Sequence, residues 1–224
     1  MCGRFALSIQ TKDIEKLLPE GTVNVTLKPR YNICPSQLLV STINDDKREL
    51  NYLFWGLIPS FAKDNSMAMK MINSRAESLL EKPTYKHLIM RKRCVIYASG
   101  FYEWWGQGRE KQPYYVKMRN DEPFTFAGLW DSWQSPDGSQ IDTASIITTE
   151  PNELIQKIHH RMPVILPPEA RFEWLKHSNQ NISYLHKLLM PYNSAEMECY
   201  PISKRVNNPA NDDEELILRM KNEE

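Results

Sequence analysis

Six short β-prone runs constrain this 224-residue chain more than anything else in it. They lie at 38–43 (LLVSTI), 50–57 (LNYLFWGL), 94–98 (CVIYA), 114–118 (YYVKM), 124–129 (FTFAGL) and 144–148 (ASIIT), rich in β-branched and aromatic residues. Pro59 closes the second. Fifteen prolines against eight glycines make the connections short and stiff. Helical spacing is confined to brief stretches: 11–18, a turn at 74–80, 152–158, and 168–175 with prolines at its start. Many short strands with helices around them predict an α+β fold. We expect a single domain over 1–224, with a β-barrel-like, mostly antiparallel core flanked by short helices. The acidic tail, about 211–224 (DDEELILRMKNEE at its heart), is expected to form a short helix or fray.

Lysine plus arginine and aspartate plus glutamate are both 28, so the formal net charge is zero. No global field favours a polyanion, and any nucleic acid must be held by a local basic groove. No apolar run reaches membrane-span length, and the start lacks an apolar signal region. The expectation is a cytoplasmic protein without a membrane partner. Cysteines at 2, 34, 94 and 199 show no CxxC pairing and no interleaved histidines, so neither a metal nor any other cofactor is expected.

Cys2 follows the initiator methionine directly. If Met1 is removed, Cys2 carries a free α-amine and a β-thiol. Their reference pKa values, near 7.7–8.0 and 8.5, leave both partly nucleophilic at neutral pH. An aldehyde meeting this pair gives an imine, and the thiol then closes a five-membered thiazolidine. The competing reading is a small residue in a frayed terminus.

Other motifs also carry two readings. In NSRAE (73–77), Asn73 either caps a helix or donates its amide to a substrate, and Arg75 is free to grip a phosphate. In GFYEWW (100–105), Glu103 stands among four aromatics. Walled by rings, its pKa would rise toward the range useful for proton transfer; simple strand alternation would put it on the wet face. In IHHRMP (158–163), adjacent histidines facing different ways are a poor metal pair. One is a candidate general acid, and Arg161 a phosphate contact. RYNICP (30–35) and FWGLIPSF (54–61) add Arg30 and aromatics near turns, a mixture that suits unpaired bases or, equally, core packing.

Taken in order, these segments resemble the SOS-response-associated peptidase (SRAP) family. The resemblance rests on MCGR, RYN-x-x-P, FWG-x-x-P, IN-x-R-x-E, G-[FW]-[FY]-EW and IH-x-R-x-P, here spanning about three quarters of the chain. It implies a barrel-like α+β domain with a positively charged groove. It also implies covalent capture of abasic sites in single-stranded DNA, through a thiazolidine between Cys2 and the C1′ aldehyde. That is a crosslinking, lyase-type activity with an associated peptidase or self-processing activity; a Cys2–His159 thiol peptidase is the alternative. By the same resemblance Cys2 is the nucleophile, Asn73 positions the reacting terminus, and Glu103 moves protons. His159 assists opening of the sugar. Arg4, Arg30, Pro35, Phe61, Arg75 and Arg161 are expected to contact DNA. The protein is expected to be a monomer, nucleoid-associated when bound to DNA. The chain departs from the family pattern at Cys34, which is either inert packing or a disulfide partner for Cys2, and at Phe61, the only ring after FWG-x-x-P able to stack. His160 stands where an acidic residue is common, making the local field more positive.

Overall fold

The structure, a computed structural model, describes residues 2–17, 27–45, 47 and 49–220. Met1, Leu18 at the end of the first expected helix, and the last four residues of the tail lie outside them. Five strands close a barrel: β3 (Leu38–Ile43), β4 (Leu50–Trp55), β6 (Arg93–Ala98), β9 (Phe124–Gln134) and β10 (Gln140–Thr149). β10 pairs β9 on one edge and β4 on the other. Only the β10–β4 joint of the barrel is parallel. Closure removes the open edges that a five-stranded sheet would expose. A second, five-stranded sheet runs β12 (Met197–Pro201), β8 (Gln112–Met118), β7 (Gly100–Trp105), β1 (Phe5–Leu7) and β2 (Arg30–Ile33). The expected α+β domain with a mostly antiparallel, barrel-like core is what the chain forms.

The helices are α1 (Thr11–Leu17), α2 (Pro83–Arg91), α3 (Pro168–Leu175) and α4 (Ile182–Lys187). Arg93, fully buried, ties two of them to the barrel. Its guanidinium donates to the carbonyls of Ile89 and Met90 at the end of α2, and of Trp174 and Lys176 at the end of α3, at 2.7–2.8 Å. These are helix-end carbonyls with no partner inside the helix.

Several local expectations change. Residues 74–80 do not open as a helical turn: Asn73–Arg75 is strand β5, parallel to β10, and a 3-10 turn follows over Ala76–Ser78. A three-residue strand carries too little pattern to be read. The 152–158 helix is only a 3-10 turn, Ile155–Lys157. The strand from Leu50 stops at Trp55 because Gly56 turns the chain at φ 139°. Of the two readings of the tail, the short helix holds for its described part, as a 3-10 turn at Glu214–Ile217 that buries Leu216.

The N-terminal segment is anchored through Phe5. Its ring packs edge-on against Trp55 and Phe126, centroids 5.3 and 5.6 Å away. A buried Phe contributes roughly 1.5–3 kcal/mol, enough to hold the three residues before it. β1 lies against β7, with Phe5 opposite Phe101 and Ala6 opposite Gly100. At Gly100 a Cβ would meet the buried Tyr115 ring at 2.3 Å. Gly100→Ala is therefore expected to cost ~1–3 kcal/mol through overpacking. Its urea midpoint should fall clearly below wild type; an unchanged midpoint would mean that Tyr115 can move aside.

Candidate active site

Cys2 is fully buried, which removes the frayed-terminus reading. Two strands bring groups to it. On β5, the Asn73 amide donates to the Cys2 carbonyl at 2.8 Å. Asn73 thus acts in neither reading as a helix cap; it is a strand residue turned on the N-terminus. Its own carbonyl oxygen is buried and has no hydrogen-bond partner. β5 is placed by the FWG segment, whose Trp55 indole donates to the carbonyl of Ile72, one residue before Asn73, at 2.9 Å. On β7, the Tyr102 N–H donates to the Arg4 carbonyl at 3.0 Å. Continuing that antiparallel register sets Glu103 alongside Gly3, one residue from Cys2.

Glu103 is 3% exposed, so it is not on the wet face. Burial pushes its carboxyl up to about 7. Burial also pushes the Cys2 thiol up, and the Glu103 charge adds to that rise. The two groups cannot easily be charged together: near neutrality the thiol keeps its proton and only the carboxyl titrates. His159 follows the 3-10 turn and is half-buried. Burial pulls its imidazole down to about 4. His159 Nδ1 lies 3.0 Å from the Arg161 N–H and 3.1 Å from the Arg161 carbonyl, so it accepts from the first or donates to the second according to the tautomer. The ordinary order of the two pKa values is inverted: near pH 7 the carboxyl is still about half protonated, while the imidazole is neutral. The two histidines do not face apart. Their rings stack, with centroids 4.3 Å apart and planes inclined by 28°.

The arginines divide into two kinds. Arg161 forms a bidentate pair with Glu77, 2.8 and 2.9 Å, and donates to the Thr148 carbonyl at 2.7 Å. The last letter of NSRAE, Glu77, and the arginine of IHHRMP thus hold each other, and β10 lies between them. Burial works against the Glu77 charge, but the Arg161 guanidinium holds its pKa low. Arg4 donates to Asn32 Oδ1 at 2.8 Å and to the Val206 carbonyl at 2.7 Å. Arg30 is paired with Asp212 and donates to Gln37 at 2.9 Å. Arg75 is exposed at the end of β5. Phe61 is 73% exposed in the turn after FWGLIP. Pro35 sits in a turn whose next residue, Ser36, has φ 70°, the type II arrangement.

Cys34 is buried, with its thiol donating to the Asn32 carbonyl at 3.3 Å. All four cysteines are free, so Cys34 is packed here and not bridged to Cys2.

Sequence reading missed the clamp that fixes the N-terminus from behind. The Asn32 amide nitrogen lies within 3.3 Å of the carbonyls of Val206, Asn208 and Asn211. Asp212 accepts from the N–H groups of Tyr31 and Asn32, and the Tyr102 hydroxyl donates to the Tyr31 carbonyl at 2.5 Å. Asn32 therefore joins Arg4 to the tail. No local signal linked residue 32 to residues about 180 positions away.

Fold and site together define a small barrel protein with a buried Cys2 whose carbonyl takes the Asn73 amide and whose thiol feels the charge of the buried Glu103 carboxyl. The chain belongs to the SOS response associated peptidase (SRAP) family, which it matches over residues 1–209. It is 45% identical to the abasic site processing protein YoqW of Bacillus subtilis, over 97% of this chain and 99% of that one. It is 30% identical to the abasic site processing protein HMCES of Gallus gallus, covering 97% of this chain and 77% of that protein. A crystal structure of a Bacteroides thetaiotaomicron protein superposes with a TM-score of 0.88 at 27% identity, over 98% of this chain and 100% of the other. Among the described residues, no helix is long and apolar enough to cross a membrane.

Proposed function

We propose that this protein captures abasic sites in single-stranded DNA covalently, using the thiol and α-amine of Cys2 after loss of Met1. The observation that carries this reading is the convergence on Cys2 of the Asn73 amide and the buried Glu103 carboxyl. Kinship to proteins named for abasic site processing points the same way.

The open-chain sugar of an abasic site presents an aldehyde at C1′. The amine attacks first, because burial keeps the thiol protonated. The resulting carbinolamine loses its hydroxyl as water, assisted by the proton that Glu103 holds near neutrality. Glu103, now ionised, accepts the thiol proton as sulfur adds to the imine carbon. One C–N and one C–S bond form, and one water leaves. Asn73 fixes the carbonyl beside the amine, and its unpartnered oxygen is available to the amine or a sugar hydroxyl. Neutral His159 offers a ring N–H to the ring oxygen of the sugar. Arg75 and Phe61, both exposed, take a phosphate and a base; Pro35, Arg4, Arg30 and Arg161 complete the DNA contacts of this reading. The acting form is a cytoplasmic monomer that joins the nucleoid with its DNA.

A Cys–His peptidase is less well supported. Such an enzyme needs a thiolate beside an imidazolium. Here burial raises the thiol and lowers His159, and both shifts oppose that ion pair.

Intact mass spectrometry tests the proposal. The mature chain and a single strand with one abasic site should give a product equal to chain without Met1 plus strand, less one water. Equal adduct with an undamaged strand, or none with the damaged one, would overturn it.

A further inference from the structure

Away from Cys2, a cavity of about 500 Å³ opens between the ends of β3, α2 and β9 and the segment after α3. It shares no side chain with the site above, and its volume lies within the ordinary range of small-molecule sites. Two N–H groups on its wall are buried and have no hydrogen-bond partner: Asn44 Nδ2 and Trp130 Nε1. Asn44 is 3% exposed, and its other polar atoms are committed. Its side-chain oxygen accepts from Arg93 N at 2.8 Å and its carbonyl oxygen from His177 Nδ1 at 2.9 Å. Its amide is therefore held in one orientation, with the NH₂ left for something else.

Cations surround these donors. Arg91 and Lys92 line the cavity, and the Lys92 ammonium lies 3.8 Å from the centre of the Trp130 ring. That contact holds the indole in place. With His177 Nδ1 donating to Asn44, the ring's Nε2 faces outward as acceptor when neutral and as a further donor when charged. Asp45 is the one carboxylate among the described lining residues, and it is engaged in an interaction of its own. The wall is thus rich in donors and poor in acceptors. Burying N–H groups without acceptors is costly, about 1–3 kcal/mol each. A ligand carrying several acceptor oxygens and negative charge matches the wall; an apolar or cationic ligand does not.

We propose that this cavity is a second ligand site, which takes a phosphate group. Asn44 and Trp130 donate to its oxygens from the floor, while Arg91 and Lys92 balance its charge at the rim. The phosphate comes either from a free small molecule or from a nucleic acid strand, and the experiment separates the two.

The test is NMR titration of the full chain at constant ionic strength, following the Trp130 indole N–H and the Asn44 side-chain amide. Three probes are used: inorganic phosphate, a deoxynucleoside monophosphate, and a short undamaged single strand. Saturable shifts of both signals with any of them, below about 10 mM, support the site. Response to the first two assigns a free phosphate; response to the strand alone assigns nucleic acid. Asn44→Ala risks the fold, since Asn44 also braces Arg93. Trp130→Phe, read through the Asn44 amide, and Arg91→Ala at an exposed residue are the working variants. Each should weaken binding about tenfold or more, the value of a hydrogen bond to a charged group. Chloride producing the same shifts, no saturation, or binding unaffected by both variants would overturn the proposal.

Discussion

Cys2→Ala is expected to abolish the covalent adduct with an abasic strand completely, not merely slow it. Alanine keeps the α-amine, so an imine can still form, but an imine hydrolyses and does not survive denaturation. The thiol is what closes the ring. A companion chain that retains Met1 has the opposite lesion: the thiol is present and the adjacent amine is an amide. It too should give no stable adduct. A denaturing gel with intact mass of the product reads both. Adduct surviving in Cys2→Ala would move the nucleophile elsewhere; adduct in the Met1-retaining chain would replace the thiazolidine by a simple thiol addition. Neither variant should unfold, because the anchor of this segment is Phe5 and its contacts with Trp55 and Phe126.

Glu103→Gln should lose activity and gain stability. The carboxyl has a reference pKa of 4.5 and is raised to about 7 by burial. Between these values the folded chain keeps a proton that the unfolded chain has released. Stability associated with the protonated form is therefore fully present below about 4.5 and lost as pH rises through about 7. The loss at pH 8 is on the order of 3 kcal/mol for a shift of this size. Glutamine cannot ionise, so the variant should match wild type near pH 4.5 and exceed it at pH 8. Urea midpoints at the two pH values measure this. Capture by the variant should be slower by about 10²–10⁴-fold, the usual worth of a positioned proton carrier. A variant no more stable than wild type at pH 8 would mean that the carboxylate is better solvated than its burial implies. In the wild type, capture should slow as pH falls below the amine pKa, about 7.7–8.0.

Much of the core was legible. Runs such as 94–98 and 124–129 are rich in β-branched and aromatic residues, and both became barrel strands buried on two faces. Helix 168–175 declared itself by prolines at its first turn. Three-residue pieces were not legible. β1 and β5 are too short to show a period, yet they present Cys2 and Asn73. Their pairing is enforced by neighbours distant in sequence, Phe101 for the first and Ile146 to Thr148 for the second.

The arginines teach the same lesson. Sequence treats Arg4, Arg30, Arg75 and Arg161 alike, as cations free for phosphate. In the fold only Arg75 stands exposed and unengaged, while the other three hold Asn32, Asp212 and Glu77. An arginine's charge is a local property, but its occupation depends on which carboxylate or carbonyl the chain returns to it.

By itself the sequence determined the chemistry available at Cys2: an amine and a thiol on adjacent carbons, masked by one methionine. Covalent connectivity is local, and nothing in folding alters it. Tertiary structure alone decided the protonation that makes the pair usable. Burial raises Glu103 and the Cys2 thiol and lowers His159, because removing water penalises every charged form. Burial is a property of the packed whole, and here it includes the Phe5 ring locked against Trp55 and Phe126, three residues beyond Cys2.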